Sequence, residues 1–184
     1  GWHQYFHWYV VSWVELPPWL NEGMGDYFYC GRPQKNPKTK KIEVELGRPN
    51  DSRLPIIWRA VKDGEHVPLK RLFRMSKADY YSNPSVCYSE GWAVCQFLLH
   101  HENKKLRNLI PHFIFLVRDD TNMKNITDRV FRGIDLEKLD AEFQEWVKTD
   151  AIKLLRRDQP KAGQPKAKQP KAKQPKAGKN TAGS

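Results

Sequence analysis

The chain has 184 residues, a formal net charge of +11, and seven Trp, seven Tyr and eight Phe. That length suits one core and is short for two domains, and no apolar run reaches the roughly 20 residues of a membrane-spanning helix. The last 26 residues hold seven lysines and no acid, so residues 1–158 carry only +4, which excludes the concentrated charge of a typical nucleic-acid-binding domain. Gly1 stands where a Met would begin a chain, and no signal-peptide pattern follows it. This start reads as a processed product or a piece of a longer protein. Cys30, Cys87 and Cys95 form no C-x-x-C pair, and their odd number argues for buried free thiols over a complete disulfide framework.

From Gly1 to about Val14 almost every residue is apolar or aromatic, apart from His3, Gln4 and His7. A helix apolar all round is a buried helix, and two histidines four apart share one of its faces, as metal ligands do. Pro17 and Pro18 open a second helix over about Pro18–Tyr29, with Gly31 after Cys30 as its stop. Glu22 and Asp26 lie four apart on it and repel each other unless a cation is near. A solvated acidic face is the ordinary fate of such a pair, and a metal ligand with a supporting carboxylate is the alternative.

Gly31–Lys41 reads as a loop, and Lys41–Leu46 alternates as a half-exposed strand. Asp51 or Ser52 caps a helix that runs to about Lys62 and stops at Gly64. Pro68 opens a short helix within Val67–Met75. Arg53, Arg59, Arg71 and Arg74 read as solvated helix faces. Asn83-Pro84-Ser85 starts an apolar helix to about His101, and His100, His101 and His112 lack a carboxylate at ligand spacing. Beyond Lys104 the text is helical to Leu155. Pro111 splits or kinks the first helix there, Asp119–Asn122 is a loop, and Met123–Arg132 is a helix stopped by Gly133. Asp135 caps a last helix whose Leu136, Leu139, Phe143, Trp146 and Val147 belong to the core.

His3-Gln4-Tyr5-Phe6, then Pro17 and Trp19-Leu20-Asn21-Glu22-Gly23, resemble the active-site region of the gluzincin zinc metallopeptidases, in particular the aminopeptidase N-like branch related to thermolysin. In that branch H-E-x-x-H is followed, after eighteen intervening residues, by the Glu of an N-E-G motif. Eighteen residues also separate His3 from Glu22. The resemblance thus makes His3 and Glu22 metal ligands for one Zn2+, and implies that the first His and the catalytic Glu lie just before Gly1. In a rival register, His3-Gln4-Tyr5-Phe6-His7 is itself H-Q-x-x-H. It leaves fourteen residues before Glu22 and puts Gln where a general base is needed, which implies a dead enzyme. The first register is favoured, because it alone supplies the context.

Catalytic zinc takes three protein ligands and keeps a fourth position open. Gly23 and Gly25 remove side chains where the two helices must approach. Asp26 resembles the acid that in thermolysin-like members hydrogen-bonds a ligand histidine, and Asn21 of the N-E-G motif stands with it as a supporting group. Tyr88-Ser89-Glu90-Gly91 is similar to the Y-S-K-G or Y-D-K-G of the aminopeptidase N-like enzymes, whose Tyr stabilises the oxyanion. The resemblance makes Tyr88 the catalytic residue here, with Glu90 departing from the family's Lys. On its own, Tyr88 reads as a buried Tyr with an ordinary hydrogen bond.

Gln-Pro-Lys-Ala recurs at Gln159, Gln164, Gln169 and Gln174. Pro blocks helix and strand, and nothing apolar beyond Ala is available to bury, so 159–184 reads as a disordered lysine arm. It can bind an anionic polymer through salt-sensitive contacts, or serve as a solubilising spacer.

The expected fold is mainly α with at most one or two short strands. The resemblance makes residues 1–158 the helical half of a thermolysin-like catalytic domain. It implies zinc-dependent hydrolysis of a peptide or protein substrate in the full-length parent, with a secreted or cell-envelope location, and no activity in this chain alone. Related bacterial domains of unknown function share the L-P-P-W-L-N-E-G style. The alternative is a noncatalytic peptidase-fold scaffold or binding module with a polyanion-binding tail.

Overall fold

The computed structural model describes residues 2–7 and 14–158, the last four by backbone alone. The lysine arm expected over 159–184 lies outside the described residues, as do residues 8–13 of the first expected helix. The fold is mainly α, with two short strands in one sheet. No described helix is long and apolar enough to cross a membrane.

Helix α2 (Pro18–Tyr29) and helix α6 (Pro84–Leu99) form the centre. Proline opens both, where its missing N–H costs no intrahelical bond. Glycine sets their crossing: a Cβ on Gly23 would overlap the Gly91 carbonyl, and one on Gly91 would meet the Tyr80 hydroxyl at 2.6 Å. The two backbones therefore touch, and Trp19, Leu20, Cys87, Trp92 and Cys95 pack around the contact, all buried. Helix α3 (Leu54–Asp63), α4 (Leu69–Leu72) and the long α10 (Leu136–Asp158) close one side. The α10 stripe Leu139, Phe143, Val147 and Ala151 is fully buried at helical spacing. Helices α7 (Lys104–Arg107), α8 (Leu109–Leu116) and α9 (Met123–Val130) complete the core.

Several expectations need correction. Among the described residues the first helix, α1, spans Trp2–Tyr5, and Val14 is not helical. It is not buried all round: Phe6 just after it is buried and Trp2 partly so, while His3, Gln4, Tyr5 and His7 face outward. The stretch read as a loop contains strand β1 (Arg32–Lys35). It pairs antiparallel with β2 (Ile42–Glu45) in the register Arg32↔Glu45 to Lys35↔Ile42. Asn36 makes the hairpin possible, because its side chain accepts from the Lys38 and Thr39 amides and its own amide bonds Lys41. Both strands are exposed along their length, and Ile42 is 77% exposed rather than turned to a core.

Neither Asp51 nor Ser52 opens α3. Asn50 does, accepting from the Ser52 and Arg53 amides at 3.2 and 3.1 Å. Gly64 stops that helix at φ +74° as expected. Helix α5 (Lys77–Ser82) was not expected. Pro111 does not break its helix: it sits in the first turn of α8, where no N–H is required, and the break falls earlier, at Asn108. Asp135 caps α10 through the Glu137 and Lys138 amides. All three cysteines are free, Cys87 and Cys95 buried and Cys30 half-buried.

Candidate functional site

Asn21, Glu22, Gly25 and Asp26 form the half-buried face of α2, opposite the face that packs on α6. Against it lies α1. Gly25 lets α1 approach, since a Cβ there would stand 3.2 Å from His3 Nε2. Stacking of Trp2 on Phe28, with ring centroids 5.2 Å apart, holds the α1 backbone in place. His3 then reaches two residues of the N-E-G motif. Its Nδ1 is 3.0 Å from Asn21 Oδ1, and its Nε2 is 3.9 Å from Glu22 Oε2. An Nδ1–H donating to that amide oxygen would leave Nε2 as the ring atom directed at Glu22.

The two oxygens of Glu22 have different surroundings. Oε2 faces His3, while Oε1 accepts the hydroxyl of Tyr81 at 2.9 Å. Tyr81 comes from α5, the helix that the sequence reading missed. Partial burial and the bond to the Glu22 carboxylate push the Tyr81 phenol up to about 12, so it remains a donor at neutral pH. Asp26 does not meet His3. Its Oδ2 accepts from Arg53 Nε at 2.7 Å, so the supporting bond to the histidine comes from Asn21 instead. The carboxylates of Glu22 and Asp26, four apart on one face, are thus each given a separate donor.

Arg53 is accordingly not a solvated face. Its guanidinium lies 5.1 Å from the centroid of the Tyr88 ring while its Nε holds Asp26. Tyr88 is half-buried beside Tyr80 and Tyr81, with centroids 5.7 and 6.1 Å away. Desolvation raises the pKa of its hydroxyl first, and the negative charge of Glu22 adds to that. Its hydroxyl takes no hydrogen bond among the described residues.

No protein-family model matches the chain, and no curated protein or solved structure matches it either. The geometry of these side chains therefore carries the functional reading. It brings His3, Asn21, Glu22, Tyr81, Arg53, Asp26 and Tyr88 into one contiguous set. His3 Nε2 and Glu22 Oε2, 3.9 Å apart, would have to close by about half an ångström to act as two donors of a tetrahedral zinc site with bonds of about 2 Å. The described residues bring no third His, Cys, Asp or Glu to that pair. His7 is exposed, with its ring edge-on to Phe6 at 5.7 Å between centroids.

Glu90, where the resemblance would place a lysine, is fully buried on the far side of α6. It accepts the Val67 amide at 2.9 Å through Oε2, and Oε1 has no partner. Burial lifts its carboxyl to about 8, so it is neutral at pH 7. Glu90 belongs to the core and not to the His3–Glu22 set.

Proposed function

We propose that this chain supplies part of the active site of a zinc-dependent peptide hydrolase, with His3 and Glu22 as two of three metal ligands. The observation that carries the reading is the His3–Glu22 pair: 3.9 Å apart across eighteen intervening residues, with the far nitrogen of the ring held by Asn21. Metal-bound histidines characteristically donate their second N–H to such an acceptor.

Zinc held there supplies a Lewis acid toward a peptide carbonyl. The side chains of this chain do the rest of what can be assigned to it. Asn21 fixes the His3 ring and its tautomer. Tyr81 fixes Glu22 and leaves Oε2 free. Tyr88 offers a protonated hydroxyl with no hydrogen bond among the described residues, and its raised pKa keeps the proton on at neutral and mildly basic pH. It is the donor for the oxyanion that forms as the carbonyl is attacked, and Arg53 over its ring restrains the phenol's position. Such donors contribute about 3–4 kcal/mol to a transition state.

Two donors do not make a catalytic zinc site, so the reading requires a histidine and a glutamate directly before Gly1 in the H-E-x-x-H register. The test is a chain extended by those residues. One zinc per chain by elemental analysis, together with hydrolysis of a peptide library, is the expected result. An extended chain that carries both residues and holds no zinc overturns the proposal. The 184-residue chain itself should bind zinc weakly and cleave nothing.

A further inference from the structure

A second concave region lies away from His3 and Glu22. It is a groove of about 850 Å³ between the C-terminal end of α6, the end of the hairpin at Leu46 and Gly47, and one face of α10. Its chemistry is uneven. Four carboxylates line it, those of Glu102, Glu142, Glu145 and Asp150, against a single lysine, Lys153. Lys153 already pairs with Asp150 at 2.7 Å, and Glu142 meets His101 at 3.0 Å. Glu145 forms no ion pair among the described residues. The wall is aromatic, with Phe97 and Trp146 5.5 Å apart. Gln96 is set into it and only 2% exposed. Its Nε2 donates to the Gly47 carbonyl at 2.8 Å, but its Oε1 is a buried acceptor without a donor. A buried amide oxygen in that state is uncommon and calls for a ligand donor or a water.

An acidic rim, an aromatic wall and an unpaired acceptor together suit an ammonium group on an apolar stem. The methylenes lie along the rings, the charge is attracted by ring faces and carboxylates, and the N–H groups satisfy an oxygen. That is a lysine side chain. The chain carries its own supply: Lys161, Lys166, Lys168, Lys171, Lys173, Lys176 and Lys179, with no acid among residues 159–184. Helix α10 forms one wall of the groove as far as Leu154, so the lysine segment starts five residues beyond it. Its 26 residues, at about 3.1 Å each when Pro-rich and extended, reach roughly 80 Å. From Glu142 to Asp150 is only about 12 Å along the helix, so the segment can return with length to spare.

We propose that the Gln-Pro-Lys-Ala segment of this chain docks in the groove of its own α6 and α10, with lysine ammonium groups on Glu142, Glu145 and Asp150 and a donor to Gln96 Oε1. The proposal is independent of the zinc reading. It is tested on the full 184-residue chain by two-dimensional NMR of the Trp146 indole and the Gln96 side-chain amide. In low salt, a chain with all seven lysines of the segment replaced by Gln should shift both signals. Salt at 1 M, where the screening length falls to about 3 Å, should give the wild-type chain the same shifted positions. Replacing Glu142→Gln, Glu145→Gln and Asp150→Asn together should make the spectra insensitive to the seven lysine changes. Signals that are identical in the wild-type and lysine-replaced chains at low salt overturn the proposal. So does a shift that grows with protein concentration, which would make a second copy the occupant.

Discussion

At the scale of single residues, Tyr81 is the side chain whose removal separates orientation from binding. It takes Glu22 Oε1 and leaves Oε2 toward His3. Tyr81→Phe keeps the ring and loses only that bond. In the extended chain, zinc affinity should fall 10–100-fold, the usual cost of losing a bond that orients a ligand, while the melting temperature of the metal-free protein stays close to wild type. Competition with a chelator reads the affinity. Unchanged affinity would mean that Glu22 holds its rotamer without help. Tyr88→Phe should behave oppositely, leaving zinc content intact and lowering kcat by orders of magnitude, as a contact made only in the transition state does. A fall in zinc content with kcat preserved in the loaded fraction would remove Tyr88 from catalysis. Glu90 gives a pH prediction. Its carboxyl, at about 8 in the folded chain, titrates near 4.3 when unfolded. Between those values the native state holds a proton that the unfolded state has lost, so stability falls as pH rises and levels off above 8. Glu90→Gln is neutral throughout, so its melting temperature should gain on wild type steadily from pH 5 to pH 8. Parallel curves for the two proteins over that range would show that Glu90 is not held protonated.

At the scale of elements, the contact of α2 with α6 sets where Glu22 points, and glycine sets the contact. Gly23→Ala would normally favour a helix by up to about 1 kcal/mol. Here the added methyl falls on the Gly91 carbonyl and on Cys95 Sγ. Backbone cannot move aside cheaply, so overpacking of about 1–3 kcal/mol or more should win. Denaturant unfolding should show a lower midpoint at unchanged slope, and an unaltered or raised midpoint would mean that the helices separate without cost. The helices themselves were legible where the text carries punctuation. Pro17-Pro18, Asn83-Pro84, Gly64, Gly133 and Asp135 all mark the ends that they appear to mark. Helix α5 escaped because Tyr80-Tyr81 shows no clear period, although Ser76 with Asp79 three residues on is a capping pattern. Ser76 Oγ indeed accepts the Asp79 amide. Strand β1, Arg32-Pro33-Gln34-Lys35, has no apolar alternation to read, because neither of its faces is buried. His3 and Glu22 were paired through the resemblance, and the structure places their side chains 3.9 Å apart. The roles of Arg53 and Tyr81 were not, because each depends on how α3 and α5 sit against α2, and no local period encodes that.

At the scale of the whole molecule, the described residues share one hydrophobic core, which reaches from Phe6 to Ala151. Helix α10 is its far end in sequence but not in space, since it packs on α3, α4 and α6. Phe143 is fully buried there and lies against Phe97 of α6, ring centroids 5.7 Å apart. Phe97 belongs to the same helix as Tyr88 and Gly91, so the face that carries Tyr88 and the α10 face share one rigid element. Phe143→Ala should cost about 3–5 kcal/mol. For a body of this size each kcal/mol moves the melting temperature by about 2–4 °C, which puts the fall on the order of 10 °C. If the core is one cooperative unit, loss of helix by far-UV circular dichroism and loss of side-chain packing by near-UV signal should fall together. The alternative is that α10 melts first while the α2–α6 pair keeps its packing up to the wild-type temperature. That outcome would divide the molecule into a central pair carrying the candidate site and a separable C-terminal helix. The shared burial of Phe97 and Phe143 argues for the single transition.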